Sequence, residues 1–317
     1  MKRLVYLGAL LALLFACGTH KEAAPVTRRF PQTKVPALMQ GQEALEYATC
    51  HYWDAFLDTA AGPWRCDSAW VAGVAAEEVE KQVGTFATIL GMVPVPVARQ
   101  AAEALYDRLA VYQAADTASN AFSAMIPLVS RYLYDPNSPV RLEDAYGVLA
   151  ERLADSPWTA PERRRSYRHE AQMCRLNATG TPAADFVFRD IRGRDHRLYG
   201  IRAPYTLLFF SNPGCPSCQE ILTALTQPDF TALVEDGTLA VVNVYIDEDL
   251  DAWRAYVSHY PRNWHTGYDP AYLIRSDVLY NVRAIPSLYL LDADKRVLLK
   301  DAPLDRLVRS LEEISQL

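Results

Sequence analysis

Cys215-Pro216-Ser217-Cys218 is the stretch in which residue type and spacing make chemistry available. Two thiols separated by two residues can close on each other as a disulfide or, reduced, exchange with a disulfide elsewhere, because the thiolate is the nucleophile. The flanking sequence sets this up. Residues 205–210 (Tyr-Thr-Leu-Leu-Phe-Phe) are an apolar, aromatic-rich run of strand length. Asn212-Pro213-Gly214 breaks the run, and residues 219–225 read as a helix. Cys215 is therefore expected at a helix N-terminus, where unpaired backbone N–H groups and the helix dipole favour a thiolate. Pro216 suits the first turn, since its missing N–H leaves no helical bond unmade. Cys218, one turn on, is expected behind Cys215.

The elements that must position this pair follow from the whole chain. Its 317 residues suggest about two domains, and half of them are hydrophobic. Lys2-Arg3 and the apolar residues 4–15 form a targeting segment too short for a comfortable membrane span. Leu14-Phe15-Ala16-Cys17-Gly18 resembles a bacterial lipobox, a signal in which the Cys, here Cys17, is lipidated and begins the mature protein. An ordinary secretory signal is the plainer alternative. Either one places the chain outside the cytoplasm, where disulfides persist. Loss of residues 1–16 would remove Lys2 and Arg3 and take the net charge from −6 to −8; an acidic chain is a poor partner for nucleic acid. Of the other cysteines, Cys50 and Cys66 could close a short loop, and Cys174 reads as a buried small hydrophobe.

Residues 18–37, with Pro25, Pro31 and Pro36, read as a tether. Residues 38–176 read as a helical domain, with helices expected over 38–59, 68–90, 97–114, 120–133, 140–153 and 161–175. Pro127 would kink or start the fourth of these. No catalytic constellation stands out there: His51 and His169 are isolated, and Arg163-Arg164-Arg165 reads as a solvated face. The composition changes near residue 177. Residues 186–188 and 196–199 flank Arg192-Gly193 as a hairpin, and 239–246 is a second buried strand. A helix is expected over 250–260 and a short one over 276–280. Residues 285–291 and 297–299 form a later hairpin, and 304–314 a closing helix. The pattern predicts an α/β domain over 177–317: a mixed parallel and antiparallel sheet flanked by helices.

These residues together resemble the thioredoxin-like superfamily, nearest to the membrane-anchored TlpA/ResA and AhpC/TSA-type reductases of bacterial envelopes. The resemblance covers about residues 180–317. It rests on Cys215-Pro216-Ser217-Cys218 after a buried strand, on Ile285-Pro286, and on Asp185-Phe186 with Gly193 upstream. The helical segment behind a lipobox is similar to lipoproteins of Bacteroidetes. What the resemblance implies is thiol–disulfide exchange, with Cys215 and Cys218 catalytic and with Gly214, Pro216, Ile285 and Pro286 contacting substrate. The Ile285-Pro286 bond is then expected to be cis and to face the pair. The implied partners are protein disulfides or dithiols, an upstream thiol-redox donor and, through Cys17, the membrane; no cofactor and no metal are implied.

Two departures from the family pattern matter. Gly214 stands where Trp often precedes the first Cys, and Phe209 where a buried carboxylate lies beneath the disulfide. Proton transfer to Cys218 must then use water or another group, with Glu220 and Asp247 as candidates. Peroxidase chemistry is disfavoured because Leu208 and Asn212 occupy the positions of its Pro and Thr. Zinc is disfavoured for want of four ligands, His259 and His265 making no convincing set. The competing class is a lipid-anchored binding or scaffold protein with a redox-inactive domain.

Overall fold

The computed structural model describes residues 26–60 and 62–316. Cys17, the residues expected to form a targeting segment and the first part of the expected tether lie outside the described residues. No helix among the described residues is long and apolar enough to cross a membrane.

The N-terminal half is helical apart from one small hairpin. Helices α1 (Gly41–Cys50), α2 (Ala76–Leu90), α3 (Val95–Ala115), α4 (Ala121–Tyr134), α5 (Glu143–Asp155) and α6 (Pro161–Arg175) turn their apolar stripes into one core around Phe86, Leu105, Leu109, Met125 and Leu149. The helix expected over 68–90 is shorter. It is preceded by β1 (Trp70–Val71) and β2 (Val74–Ala75), paired antiparallel. Their turn places Ala72 and Gly73 at φ of 46° and 78°, which a helix cannot accommodate. A Cβ on Gly73 would also stand 3.0 Å from Trp64 and from the Val26 carbonyl. Likewise α1 stops at Cys50, and residues 51–57 continue as turns that still bury Trp53, Phe56 and Leu57. Pro127 sits inside α4.

The C-terminal half is a seven-stranded sheet flanked by helices. In chain order it comprises β3 (Val187–Arg189), β4 (Asp195–Arg197), β5 (Tyr205–Phe210), α7 (Pro216–Leu225), α8 (Pro228–Glu235), β6 (Leu239–Tyr245), α9 (Leu250–Tyr256), β7 (His265–Tyr268), α10 (Leu273–Ser276), β8 (Ser287–Leu291), β9 (Val297–Leu299) and α11 (Leu304–Ser315). The strand order is β4-β3-β7-β6-β5-β8-β9. β5, β6 and β7 run parallel, and β8, β9, β3 and β4 join antiparallel. The mixed sheet is the expected one. β7 and α8 are additions to it, and the short helix near 276–280 lies earlier, over Leu273–Ser276.

β5 and β6 are apolar on both faces because helices or loops cover each side of the sheet. Leu207 and Phe209 face α7, α8 and α11, packing with Leu222, Leu233 and Leu307. Leu208 and Phe210 face the other way, against Phe186, Tyr280 and Tyr289. This period-two alternation fixes the register, and with it which residues can lie beneath the start of α7.

Candidate active site

The site begins where β5 ends. Ser211 and Asn212 leave the sheet, and Gly214 turns the chain with φ of +69°. That backbone suits glycine, whereas a bulky residue such as Trp would be strained there. Cys215 then caps α7: its sulfur accepts the backbone N–H of Cys218 at 3.2 Å. Pro216 occupies the first turn, as its chemistry predicts.

The two thiols sit in different environments. Cys215 is half-buried, with Gly214 and Pro216 exposed beside it. Cys218 is 5% exposed and packs against the core that holds Phe209, Ile221 and Leu288. Burial, and then its contact with Cys215, pushes the Cys218 thiol up to about 12. Both residues are free thiols, as are Cys50, Cys66 and Cys174. The Cys50–Cys66 loop closure is thus not made: Cys50 packs on the helical core as a small apolar side chain, and Cys174 is buried.

The Ile285–Pro286 peptide bond is cis. The Cys215 sulfur lies 4.0 Å from the Ile285 carbonyl oxygen, so the fold brings Cys215, Cys218 and the Ile285-Pro286 loop together across 70 residues of sequence.

No carboxylate stands beneath the pair at Phe209, which is fully buried. Glu220 is exposed on α7. Asp247 is engaged elsewhere: it accepts from Asn212 Nδ2 at 2.5 Å and pairs with Arg275 at 2.8 Å. What the interior supplies instead is a polar chain one strand over. Asn243, paired with Phe209 across the β5–β6 ladder, donates to Ser211 Oγ at 2.6 Å. Ser211 Oγ in turn lies 2.9 Å from the Tyr260 hydroxyl. All three are buried, and Asn243 Oδ1 has no partner among the described residues. Tyr260 shares the Cys218 core, and burial pushes its phenol up to about 12 against the lowering effect of the Ser211 hydrogen bond. Sequence patterns gave no sign of this chain beyond the polar Asn243 in an otherwise apolar strand. Among the described residues no cluster of His, Cys, Asp or Glu could hold a metal ion.

Residues 204–297 match a family model described as Thioredoxin-like, and residues 16–177 match one described as Domain of unknown function (DUF5106). No curated protein matches the chain. Among solved structures, a thioredoxin-like protein from Bacteroides caccae is 32% identical, with a TM-score of 0.73; the match covers 90% of this chain and 98% of that one. The C-terminal domain of an uncharacterized protein from Bacteroides fragilis is 40% identical over 43% of this chain and 99% of its own, with a TM-score of 0.42. The thioredoxin domain of a thiol-disulfide oxidoreductase from Bacteroides vulgatus is 20% identical over 44% of this chain and 98% of its own, with a TM-score of 0.39. With a full-length relative of matching fold and a family model spanning half its residues, the chain belongs to the thioredoxin-like proteins that carry a DUF5106 domain ahead of the thioredoxin-like one.

Proposed function

We propose that this protein is a thiol–disulfide oxidoreductase of the bacterial envelope, tethered by lipid on Cys17 and acting on disulfides or dithiols of other proteins. The observation that carries the reading is the asymmetry of the pair. Cys215 is half-exposed at the N-terminus of α7 and faces the Ile285 carbonyl. Cys218 is buried behind it and held as a thiol. An accessible sulfur with the Cys218 N–H aimed at it suits attack, and a protected one suits resolution.

The electron balance is that of exchange. The Cys215 thiolate attacks one sulfur of a substrate disulfide, forming a mixed disulfide and releasing the other substrate sulfur as a thiolate, which takes up a proton. Cys218 loses its proton and attacks the Cys215 sulfur. The second substrate thiolate leaves, and a Cys215–Cys218 disulfide remains. The substrate has gained two electrons, which an upstream dithiol must return to the pair. In reverse the pair oxidises a dithiol. The Ile285 backbone beside Cys215 is suited to pair with an extended substrate strand, and Gly214 and Pro216 form the open rim.

The test is capture. In Cys218→Ala the mixed disulfide on Cys215 cannot be resolved, so envelope extracts should yield adducts that thiol reductants release. Cys215→Ser should abolish both the adducts and insulin-type disulfide reduction. Reduction that persists in Cys215→Ser would sink the assignment. The anchor is read separately: lipid incorporation should vanish in Cys17→Ser.

A further inference from the structure

The helical half has no chemistry of its own in the reading above, yet its charged groups converge on one loop. That loop, residues 281–286, carries the Ile285 carbonyl that faces Cys215. On its leading flank, Arg283 stacks over the Tyr134 ring at 3.9 Å and donates to the Tyr134 carbonyl at the end of α4. Its Nε donates to Glu143 Oε1 at 2.9 Å, and Nη2 lies 2.7 Å from the same oxygen. Asn281 Nδ2 donates to that oxygen too, at 3.2 Å. On the trailing flank, Ser287 donates to Asp301 Oδ1 at 2.7 Å. Asp301 is held in turn by Arg141, whose Nε lies 2.9 Å from its carbonyl and 3.2 Å from Oδ2.

These are not surface pairs. The Glu143 side chain is 1% exposed and that of Asp301 7%. A buried carboxylate with two donors on one loop is a directional restraint. Removing its charge strands the loop's guanidinium and takes one partner from the Lys300 ammonium, 2.9 Å from Glu143 Oε2; Lys300 keeps the Cys174 and Leu176 carbonyls, so the loop is the part left to give way. Contacts serving interdomain adhesion alone would have no reason to gather on both flanks of the residue whose carbonyl faces the reactive sulfur.

We propose that the helical domain is a brace for the substrate-side loop: Glu143, through Arg283 and Asn281, and Arg141, through Asp301 and Ser287, set where the Ile285 carbonyl stands relative to the Cys215 sulfur. They are positioning residues, since neither touches the sulfur. The consequence for catalysis rests on the oxidoreductase reading, whereas the brace itself does not.

The test uses the full chain, reduced, under native conditions with trypsin. Glu143→Gln should speed cleavage at Arg283–Ala284 by about tenfold and leave cleavage at the exposed Arg192–Gly193 within about twofold, because only the loop opens. Unchanged cleavage at Arg283–Ala284, or an equal rise at both sites, overturns the brace. Should Glu143→Gln fail to fold, Arg283→Lys keeps a tryptic site and a charge while losing the forked contact, and the same outcomes apply to it. In the activity arm, Glu143→Gln should raise KM for a disulfide-bonded peptide about fivefold while kcat and the alkylation rate of Cys215 stay within about twofold. An unchanged KM, or a parallel loss in KM, kcat and alkylation, overturns the positioning role. A wild type that reduces no disulfide sinks the oxidoreductase reading instead, and the tryptic ratio still decides the brace.

Discussion

At the scale of single residues, Cys215 and Cys218 are one side chain in two environments, and the difference has a sign that can be measured. Cys218 is raised from the ordinary 9.0 to about 12, first by burial and then by its contact with Cys215. A thiol shifted that far holds on the order of 10³-fold less thiolate than a free cysteine at neutral pH. In the reduced protein, iodoacetamide should therefore label Cys218 about 10³ times more slowly than a cysteine peptide, with a rate still climbing at pH 10. A Cys218 profile that levels off near pH 9 would refute the environment described. The same shift acts on stability. The folded state keeps a proton that the unfolded chain releases, so the contribution is fully present below pH 9 and is lost as pH rises toward 12. Its slope is up to about 1.4 kcal/mol per pH unit. Urea titrations of the reduced protein against Cys218→Ala should show that slope in their difference. Beneath the pair, Phe209 fills the place of the family's acid, and the polar atoms move one strand across to Asn243, Ser211 and Tyr260.

Secondary-structure elements were readable in the sequence where they are buried on both faces or strongly periodic, and hidden where they are short. β5 and β6 are continuous apolar runs because the sheet is covered on each side, and α11 follows a clean apolar stripe. β7 reads His-Thr-Gly-Tyr, too short and too polar to announce a strand. It exists because β6 offers it a parallel ladder and β3 an antiparallel edge. The first part of the helix expected over 68–90 was claimed by the Ala72-Gly73 turn. At the site, Cys215 and Cys218 were legible from their spacing, and Ile285-Pro286 only through the resemblance to thioredoxin-like proteins. Tyr260 with Ser211, and Arg283 with Glu143, were not, because they meet across 49 and 140 residues and follow no period. The β7 geometry also makes a prediction. A Cβ on Gly267 would stand 2.7 Å from the Arg189 carbonyl and 2.8 Å from the Phe188 ring, closer than backbone can tolerate. Gly267→Ala should push the β3–β4 hairpin off the sheet edge and lower stability by about 1–3 kcal/mol, the usual range for overpacking. Urea unfolding would measure it, and Cys215 alkylation should not change, since β5 and α7 lie on the far side of β6. A stability equal to wild type would mean that β3 and β7 are not packed as described.

At the scale of the whole molecule, the two halves share buried charge, and Lys300 is its clearest instance. It follows β9 in the thioredoxin-like half, yet its ammonium donates to the carbonyls of Cys174 at 2.7 Å and Leu176 at 2.6 Å, where α6 of the helical half ends. It also lies 2.9 Å from Glu143 Oε2, with a side chain that is 0% exposed. A cation there answers the unpaired carbonyls and the negative end of the α6 dipole. Methionine would replace the aliphatic stem at similar volume while leaving those carbonyls without their donor and Glu143 Oε2 without its ion-pair partner. Loss of one partner from a buried ion pair costs about 3–5 kcal/mol, whereas an exposed pair contributes about 0–1 kcal/mol. Arg168 and Asp155, with side chains 55% and 83% exposed, supply the control. Lys300→Met should therefore lose about 3–5 kcal/mol in urea unfolding, and Arg168→Met less than about 1 kcal/mol. The wild type should unfold in one transition by tryptophan fluorescence and far-ultraviolet dichroism, because neither half can leave without stranding the other's charge. In Lys300→Met the two probes should separate. Equal costs for the two substitutions, or coincident probes in Lys300→Met, would mean that the buried Lys300 cation does not hold the halves together.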